Sequence, residues 1–243
     1  MKKLIEATRK FIRRLVVFFI VSTILAVVAG RFLPIMVTPL MIIRCVEQKE
    51  AGQPLTLHHR WVPLAEMPTH MPVAVMASED QLFLEHHGFD FKAIQKAAER
   101  NHEGKKTFGA STISQQTAKN VFLWPGRSWL RKGLEAYFTV LIELIWGKER
   151  IMEVYLNSIE MGPGIYGIGA VAEYHFDKRP ADLSRADCAL IAATLPNPRR
   201  YSSLHPTGYM YRRQHWIERQ MRNIPPFPPK TNSAENSKLP KQK

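Results

Sequence analysis

The sequence predicts a mainly α-helical domain carried behind one apolar amino-terminal segment, and three observations lead there. Apolar residues recur at three- and four-residue spacing through most of the chain beyond residue 70. No alternating apolar and polar run is long enough to require a sheet core. Residues 15–30 form an uncharged apolar run directly behind Lys2, Lys3, Arg9, Lys10, Arg13 and Arg14.

The apolar run comes first in the chain. At about sixteen residues it is slightly short of the roughly twenty that cross a hydrocarbon core, and snorkelling of Arg14 and Arg31, with Phe11 and Phe32 at the boundaries, makes up the difference. A cleaved secretory signal shares the basic start. Ala26 and Gly30 do not form a clear A-x-A site, however, and apolar character resumes over 32–43, so an uncleaved single-pass anchor over 15–43 is favoured. The basic residues of 1–14 place the amino terminus in the cytoplasm and the remainder across the membrane. Whether 32–43 continues a tilted span or lies along the bilayer surface stays open at this point.

Residues 44–60 turn polar, with Gly52 and Pro54, and read as a connector in which His58 and His59 are exposed loop. A domain then runs over 61–223. Val73, Met76 and Ala77 share a helical face, as do Phe91, Ile94, Ala97 and Ala98. Behind Ser128, the stripe Leu130, Leu134, Phe138, Leu141 and Ile145 marks a long helix, and Ile151, Val154 and Tyr155 mark another beginning at Lys148. Gly162, Gly164, Gly167 and Gly169 interrupt regular structure. Ser184 is the N-cap of a helix that Pro196 and Pro198 terminate. Residues 224–243, rich in Pro, Lys, Ser and Asn, read as a disordered tail.

Composition narrows the function. The 243 residues carry 34 Lys and Arg against 21 Asp and Glu, a formal charge of +13 that calls for an anionic partner. The orientation set by the amino terminus makes nucleic acid an unsuitable one. Cys45 and Cys188 are too few for a disulfide framework or a four-cysteine zinc site. There is no H-E-x-x-H metal motif, P-loop or dinucleotide fingerprint, so no metal site or cofactor is expected, although stimulation by a divalent ion is left open.

Four blocks carry polar chemistry. Glu79 and Asp80 are followed by Phe83, His86 and Gly88, a carboxylate pair beside an aromatic wall, as a general base requires; acidic pairs also commonly cap helices. Ser111, Thr112, Gln115 and Gln116 crowd hydroxyls and amides into two turns, and Thr112 with Gln115 also fits a capping box. Arg127, Arg131, Lys132 and Glu135 read either as a surface ion-pair helix or, with Lys119, as a pyrophosphate clamp. The fourth block, ending in Glu153, Tyr155, Leu156 and Asn157, is most simply structural.

In this order the blocks resemble the glycosyltransferase domain of peptidoglycan polymerases, the family shared by class A penicillin-binding proteins and monofunctional biosynthetic transglycosylases. The E-D-x-x-F-x-x-H-x-G pattern falls on Glu79 to Gly88, G-x-S-T-I-x-Q-Q on Gly109 to Gln116, R-K-x-x-E on Arg131 to Glu135, and E-x-Y-L-N on Glu153 to Asn157. The resemblance implies a lysozyme-like helical domain with a cleft and a smaller, membrane-leaning lobe. It implies that Glu79 deprotonates the GlcNAc 4-hydroxyl of lipid II, and that this oxygen displaces undecaprenyl pyrophosphate from the growing glycan with inversion. It makes Glu135 the second acidic residue. Lys119, Arg127, Arg131 and Lys132 are implied to hold pyrophosphate, with Asp80, Phe83, His86, Ser111, Thr112, Gln115, Gln116, Tyr155 and Asn157 also at the substrate. Membrane lipids and other wall-synthesis and division proteins are the implied partners. No Ser-x-x-Lys occurs, and Lys106-Thr107 and Lys230-Thr231 are not followed by glycine, so a monofunctional enzyme without a transpeptidase domain is expected. A glycan hydrolase using Glu79 as acid, and an inactive recruiting anchor, are the competing readings.

Overall fold

The computed structural model of the chain describes residues 1–102, 111–126 and 128–228. The mainly α expectation holds, with ten α-helices and three very short strands among the described residues. The first helix, α1 (Lys2–Phe32), has 31 residues and is about 46 Å long at 1.5 Å per residue. It is long and apolar enough to cross a membrane.

Within the apolar stretch 32–43 that helix ends at Phe32. Leu33 is extended, Thr38 accepts a hydrogen bond from the Met41 backbone N–H at 3.3 Å, and Pro39 opens a separate helix, α2 (Pro39–Glu50). Proline suits this first position because its missing N–H would have had no helical partner. Met41 is fully buried and α2 packs on the domain, so much of the expected connector is helix. His58 and His59, read as exposed loop, instead form strand β1 (His58–His59). His58 stacks on Tyr174 with centroids 3.9 Å apart, and burial lowers the pKa of His59.

The core is built around α3 (His70–Glu79), where Met71, Ala74, Val75, Met76 and Ala77 are all buried. A helix apolar on nearly every face has to be surrounded. α9 (Arg185–Thr194) and α10 (Gly208–Gln220) pack against it. The other half comprises α5 (Ile113–Phe122), α6 (Trp129–Ile145) and α7 (Gly147–Ser158), with Phe122 stacked on Phe138 at 4.5 Å. Between α3 and α5 lies the more exposed α4 (Phe91–His102). The Ser128 and Ser184 caps read from the sequence are both made, to the N–H groups of Arg131 and Asp187. α10 carries no cap-and-stripe signal strong enough to be read in advance, because most of its residues are polar.

The face of α6 around Tyr137 is covered by α1. The Tyr137 ring lies 5.8 Å from Phe19 and its hydroxyl 2.8 Å from Thr23 Oγ1. Trp146 donates its indole N–H to the Val27 carbonyl at 2.6 Å, and Arg150 donates to the Gly30 carbonyl at 2.8 and 3.0 Å. The apolar helix is therefore bolted to the domain at its carboxyl end.

The glycine stretch does not simply break regular structure. Strands β2 (Glu160–Gly162) and β3 (Ile165–Tyr166) form a small sheet in the order β1-β3-β2, with β1 parallel and β2 antiparallel to β3. Gly167 then opens α8 (Gly167–Phe176). Strands of two and three residues are too short to show alternation in a sequence. The expected tail begins later than residue 224, because Phe227 is 3% exposed and packs 6.4 Å from Phe83; residues 229–243 lie outside the described residues.

Gly167 adopts φ +76°, and a Cβ there would sit 2.4 Å from the Asn157 carbonyl oxygen. Gly167→Ala is expected to destabilise the domain by about 2 kcal/mol or more, because strain adds to a clash with fixed backbone. Gly52, at φ +65° with open space around it, is the control. Denaturant unfolding in detergent should show a clearly smaller loss for Gly52→Ala, of about 1 kcal/mol.

Candidate active site

A cleft of about 600 Å³ opens between α2, α5, the start of α6 and the loop after α9. Its walls include Leu40, Arg44, Ser111, Gln116, Lys119, Asn120, Trp124, Arg131, Glu160 and Pro198. Glu79 ends α3 beside it, with its side chain 13% exposed. Glu79 Oε1 accepts from Ser78 Oγ at 2.9 Å, and Oε2 accepts a longer bond from the Gln116 amide at 3.3 Å. Gln116 is itself held from behind by the Tyr155 hydroxyl at 3.2 Å. Burial, and then the charges of Glu79 and Asp80, push the Tyr155 pKa well above its ordinary value. Tyr155 is thus a neutral donor that fixes the amide.

Asp80 faces the opposite way. Its side chain is 3% exposed; both carboxylate oxygens meet His86 Nε2, at 2.9 and 3.0 Å, and Oδ2 also accepts the backbone N–H of Ile113 at 2.9 Å. The Gly88 N–H donates to His86 Nδ1 at 3.1 Å, so Nδ1 is the unprotonated nitrogen and Nε2–H the donor to Asp80. A carboxylate at the first turn of α5 also suits the partial positive charge there. Thr112 and Gln115 complete the capping box read from the sequence, and Thr112 Oγ1 donates to the Gly88 carbonyl at 2.7 Å. Phe83 is fully buried under Lys148, whose Nζ lies 4.6 Å from the ring and donates to the His86 carbonyl at 2.6 Å and to Glu143 at 2.7 Å. Asp80, Phe83, His86, Thr112 and Gln115, expected at the substrate, therefore form the frame behind Glu79 and Gln116.

The second centre lies on α6, which packs against α5. Glu135 is 3% exposed and bound by Arg131 Nη1 at 2.7 Å and by Lys132 Nζ. The bland reading of this block, a solvated surface ion pair, does not hold, because Arg131 and Glu135 are buried. Lys119 lies within electrostatic reach of both Glu135 and Glu79. Burial lowers its pKa, Glu135 opposes that shift, and Arg131 and Lys132 reinforce it. Among the described residues, Arg131 Nε is buried with no hydrogen-bond partner although the side chain lines the cleft. A buried donor left unpaired is costly, and an anion in the cleft would satisfy it. Lys119, Arg131 and Lys132 together outweigh the one carboxylate they surround. Arg127 lies outside the described residues, as does Gly109.

Asn157 is not at the cleft. Its amide is fully buried and entirely engaged, accepting from the Val62 N–H at 2.8 Å and donating to the Val62 and Glu153 carbonyls, each at 2.9 Å. Sequence reasoning in turn missed Arg44 and Glu160, paired at 3.5 Å on the cleft wall, and Arg213, whose Nη2 lies 3.8 Å from Glu79 Oε1. Glu160 left one usable signal, a lone charge inside an apolar run. Arg213 left none, being one of several cations on a polar helix. Among the described residues no group of three His, Cys, Asp or Glu comes together as a metal site.

With this geometry in view, the comparisons with known proteins become specific. A family model described as Transglycosylase matches residues 48–222. A protein of Bacteroides thetaiotaomicron is 55% identical over 239 residues, covering 98% of this chain and 96% of its own. One from Bdellovibrio bacteriovorus is 48% identical, covering 94% and 90%, and one from Caulobacter vibrioides is 51% identical, covering 84% and 90%. Each of the three is named biosynthetic peptidoglycan transglycosylase.

Asn157→Ala is expected to lower unfolding free energy by about 2–3 kcal/mol, since it strips a buried backbone N–H of its acceptor. The folded fraction should keep wild-type substrate affinity. A specific loss of affinity at unchanged stability would return Asn157 to the cleft.

Proposed function

The chain belongs to the transglycosylase family, and from that premise we propose that it polymerises peptidoglycan glycan strands from lipid II at the outer face of the bacterial inner membrane. The observation that carries the reading is a carboxylate, Glu79 at the end of α3, bonded to Gln116 in the cleft wall, with a cation cluster one turn further along α5 at Lys119, joined by Arg131 and Lys132 from α6. In the proposed step the acceptor GlcNAc 4-hydroxyl gives its proton to Glu79. The oxygen bonds to the anomeric carbon of the growing strand, and the bond from that carbon to the pyrophosphate breaks with its electron pair on the leaving group, so the configuration inverts. Negative charge develops on the pyrophosphate, where Lys119, Arg131 and Lys132 meet it in a partly desolvated wall. Arg131 Nε, without a partner among the described residues, is a donor that such an anion would satisfy.

Glu135 fits this scheme as the organiser of the cations. Its Oε2 is bound by Arg131 and its Oε1 by Lys132, so its charge is committed to these two cations. A glycan hydrolase would require a second free carboxylate beside Glu79, and Asp80 is turned inward on His86 and Ile113. Gln116 and Ser111 line the cleft where sugar hydroxyls would be read. No cofactor is needed for this chemistry. The apolar helix α1, with Arg9, Lys10, Arg13 and Arg14 on its cytoplasmic side, serves as a single-pass anchor and keeps the cleft beside the bilayer that holds both polyprenyl-linked substrates. The sequence contains no Ser-x-x-Lys block, so peptide cross-linking is no part of the assignment.

Two outcomes check the reading. Glu79→Gln keeps the shape and the Gln116 contact but removes the base, and polymerisation of lipid II in detergent should fall by roughly 100-fold or more with the folding transition unchanged. Polymer at the wild-type rate would exclude Glu79. Because burial lowers the pKa of Lys119, affinity for a polyprenyl pyrophosphate should fall with rising pH, starting below the range where an ordinary lysine titrates. Lys119→Arg should flatten that decline; an identical pH dependence would remove Lys119 from the anion site.

A further inference from the structure

Arg213 lies on α10, outside all four sequence blocks, yet it reaches the carboxylate to which they converge. Its Nη2 donates to Ser78 Oγ at 3.1 Å and lies 3.8 Å from Glu79 Oε1. The Ser78 hydroxyl has one proton and two acceptors in range, Glu79 Oε1 at 2.9 Å and the Ala192 carbonyl at 3.3 Å. By occupying a lone pair on Ser78 Oγ, the guanidinium favours aiming the hydroxyl proton at the nearer acceptor. Glu79 Oε1 thus meets a hydroxyl donor and a cation, whereas Oε2 has only the 3.3 Å contact from Gln116. Arg213 is in turn anchored on its own helix, with its guanidinium 6.0 Å from the Trp216 ring.

Resting on the assignment of Glu79 as the base, we infer that Arg213 is a positioning residue for it: together with Ser78 it fixes Oε1 and leaves Oε2 as the oxygen that takes the acceptor's proton. The two carboxylate oxygens are then inequivalent before substrate arrives, which sets the direction from which the acceptor hydroxyl must approach. A base held in one rotamer and offering one oxygen is pre-organised for attack, and displacement by an ångström costs about 100-fold. The charged or titratable groups facing Glu79 are Arg213 from α10, Lys119 from α5, Tyr155 from α7 and Asp80 next in the chain. Tyr155 is held neutral and Asp80 is committed to His86, so Arg213 and Lys119 are the cations at the base.

Steady-state polymerisation of lipid II by the detergent-solubilised full chain, compared for wild type, Arg213→Met and Arg213→Lys, tests the inference through the split between kcat and KM. Arg213→Met should lower kcat roughly ten- to 100-fold with KM within about twofold. Arg213→Lys should restore part of kcat. An unchanged kcat in Arg213→Met, or a loss of rate accounted for by a smaller folded fraction, makes Arg213 a packing residue and overturns the inference. Should Arg213→Met fail to fold, Arg213→Gln decides, because it keeps a side-chain donor without the charge, and wild-type kcat in that variant would contradict the need for a cation beside Oε1. Absence of polymer from wild type would instead remove the proposed function, and this inference with it.

Discussion

The Asp80 carboxylate is the joint on which the site depends. It ends α3, accepts the first backbone N–H of α5 and holds His86, so one buried side chain fixes the angle between the helix that carries Glu79 and the helix that carries Gln116 and Lys119. A buried carboxylate is costly unless every oxygen is engaged, and here the helix terminus and the imidazole engage both. The arrangement is over-determined. His86 is oriented by the Gly88 N–H, Gly88 receives Thr112, and Lys148 ties the same turn to Glu143 on α6. Ser114 bonds Glu143 as well. This explains how a short stretch rich in polar residues can be rigid while Glu79 next to it stays free for chemistry.

From that joint the electrostatics of the cleft follow. Gln116 and Lys119 are three residues apart on α5, hence on one face and one turn apart. That spacing puts the amide that touches Glu79 one turn from the anion site. Glu135 keeps Arg131 and Lys132 together, at the cost of one unit of the positive charge they bring, and burial makes what remains more effective than the same cations would be in water. The docking of α1 on Tyr137, Trp146 and Arg150 completes the frame, because it fixes the cleft relative to the apolar helix.

Much of this was legible in the sequence, for identifiable reasons. Helices with an apolar stripe and a Ser or Thr cap, such as α5, α6 and α9, were readable because both signals are local. The separate start of α2 was left open because apolar content alone does not show where a helix restarts, although Thr38-Pro39 encodes it. The strands were too short to alternate, and α10 too polar to show a stripe. Among site residues, the motif blocks located the right turns but not the direction of each side chain. Asp80, Phe83, His86 and Asn157 were grouped with the substrate because a spacing cannot tell an inward side chain from one facing the cleft. Arg213 reaches the site only through tertiary packing, which no local pattern records.

The central claim is a division of labour between two helices, with the proton taken at Glu79 at the end of α3 and the anion held at Lys119 on α5. Equilibrium binding of a polyprenyl pyrophosphate to the detergent-solubilised chain tests it most directly, with wild type, Glu79→Gln and Lys119→Ala compared at one pH. The account expects Glu79→Gln to bind as wild type does and Lys119→Ala to bind at least roughly tenfold more weakly. Loss of binding in Glu79→Gln, or its retention in Lys119→Ala, would contradict the separation of the two centres.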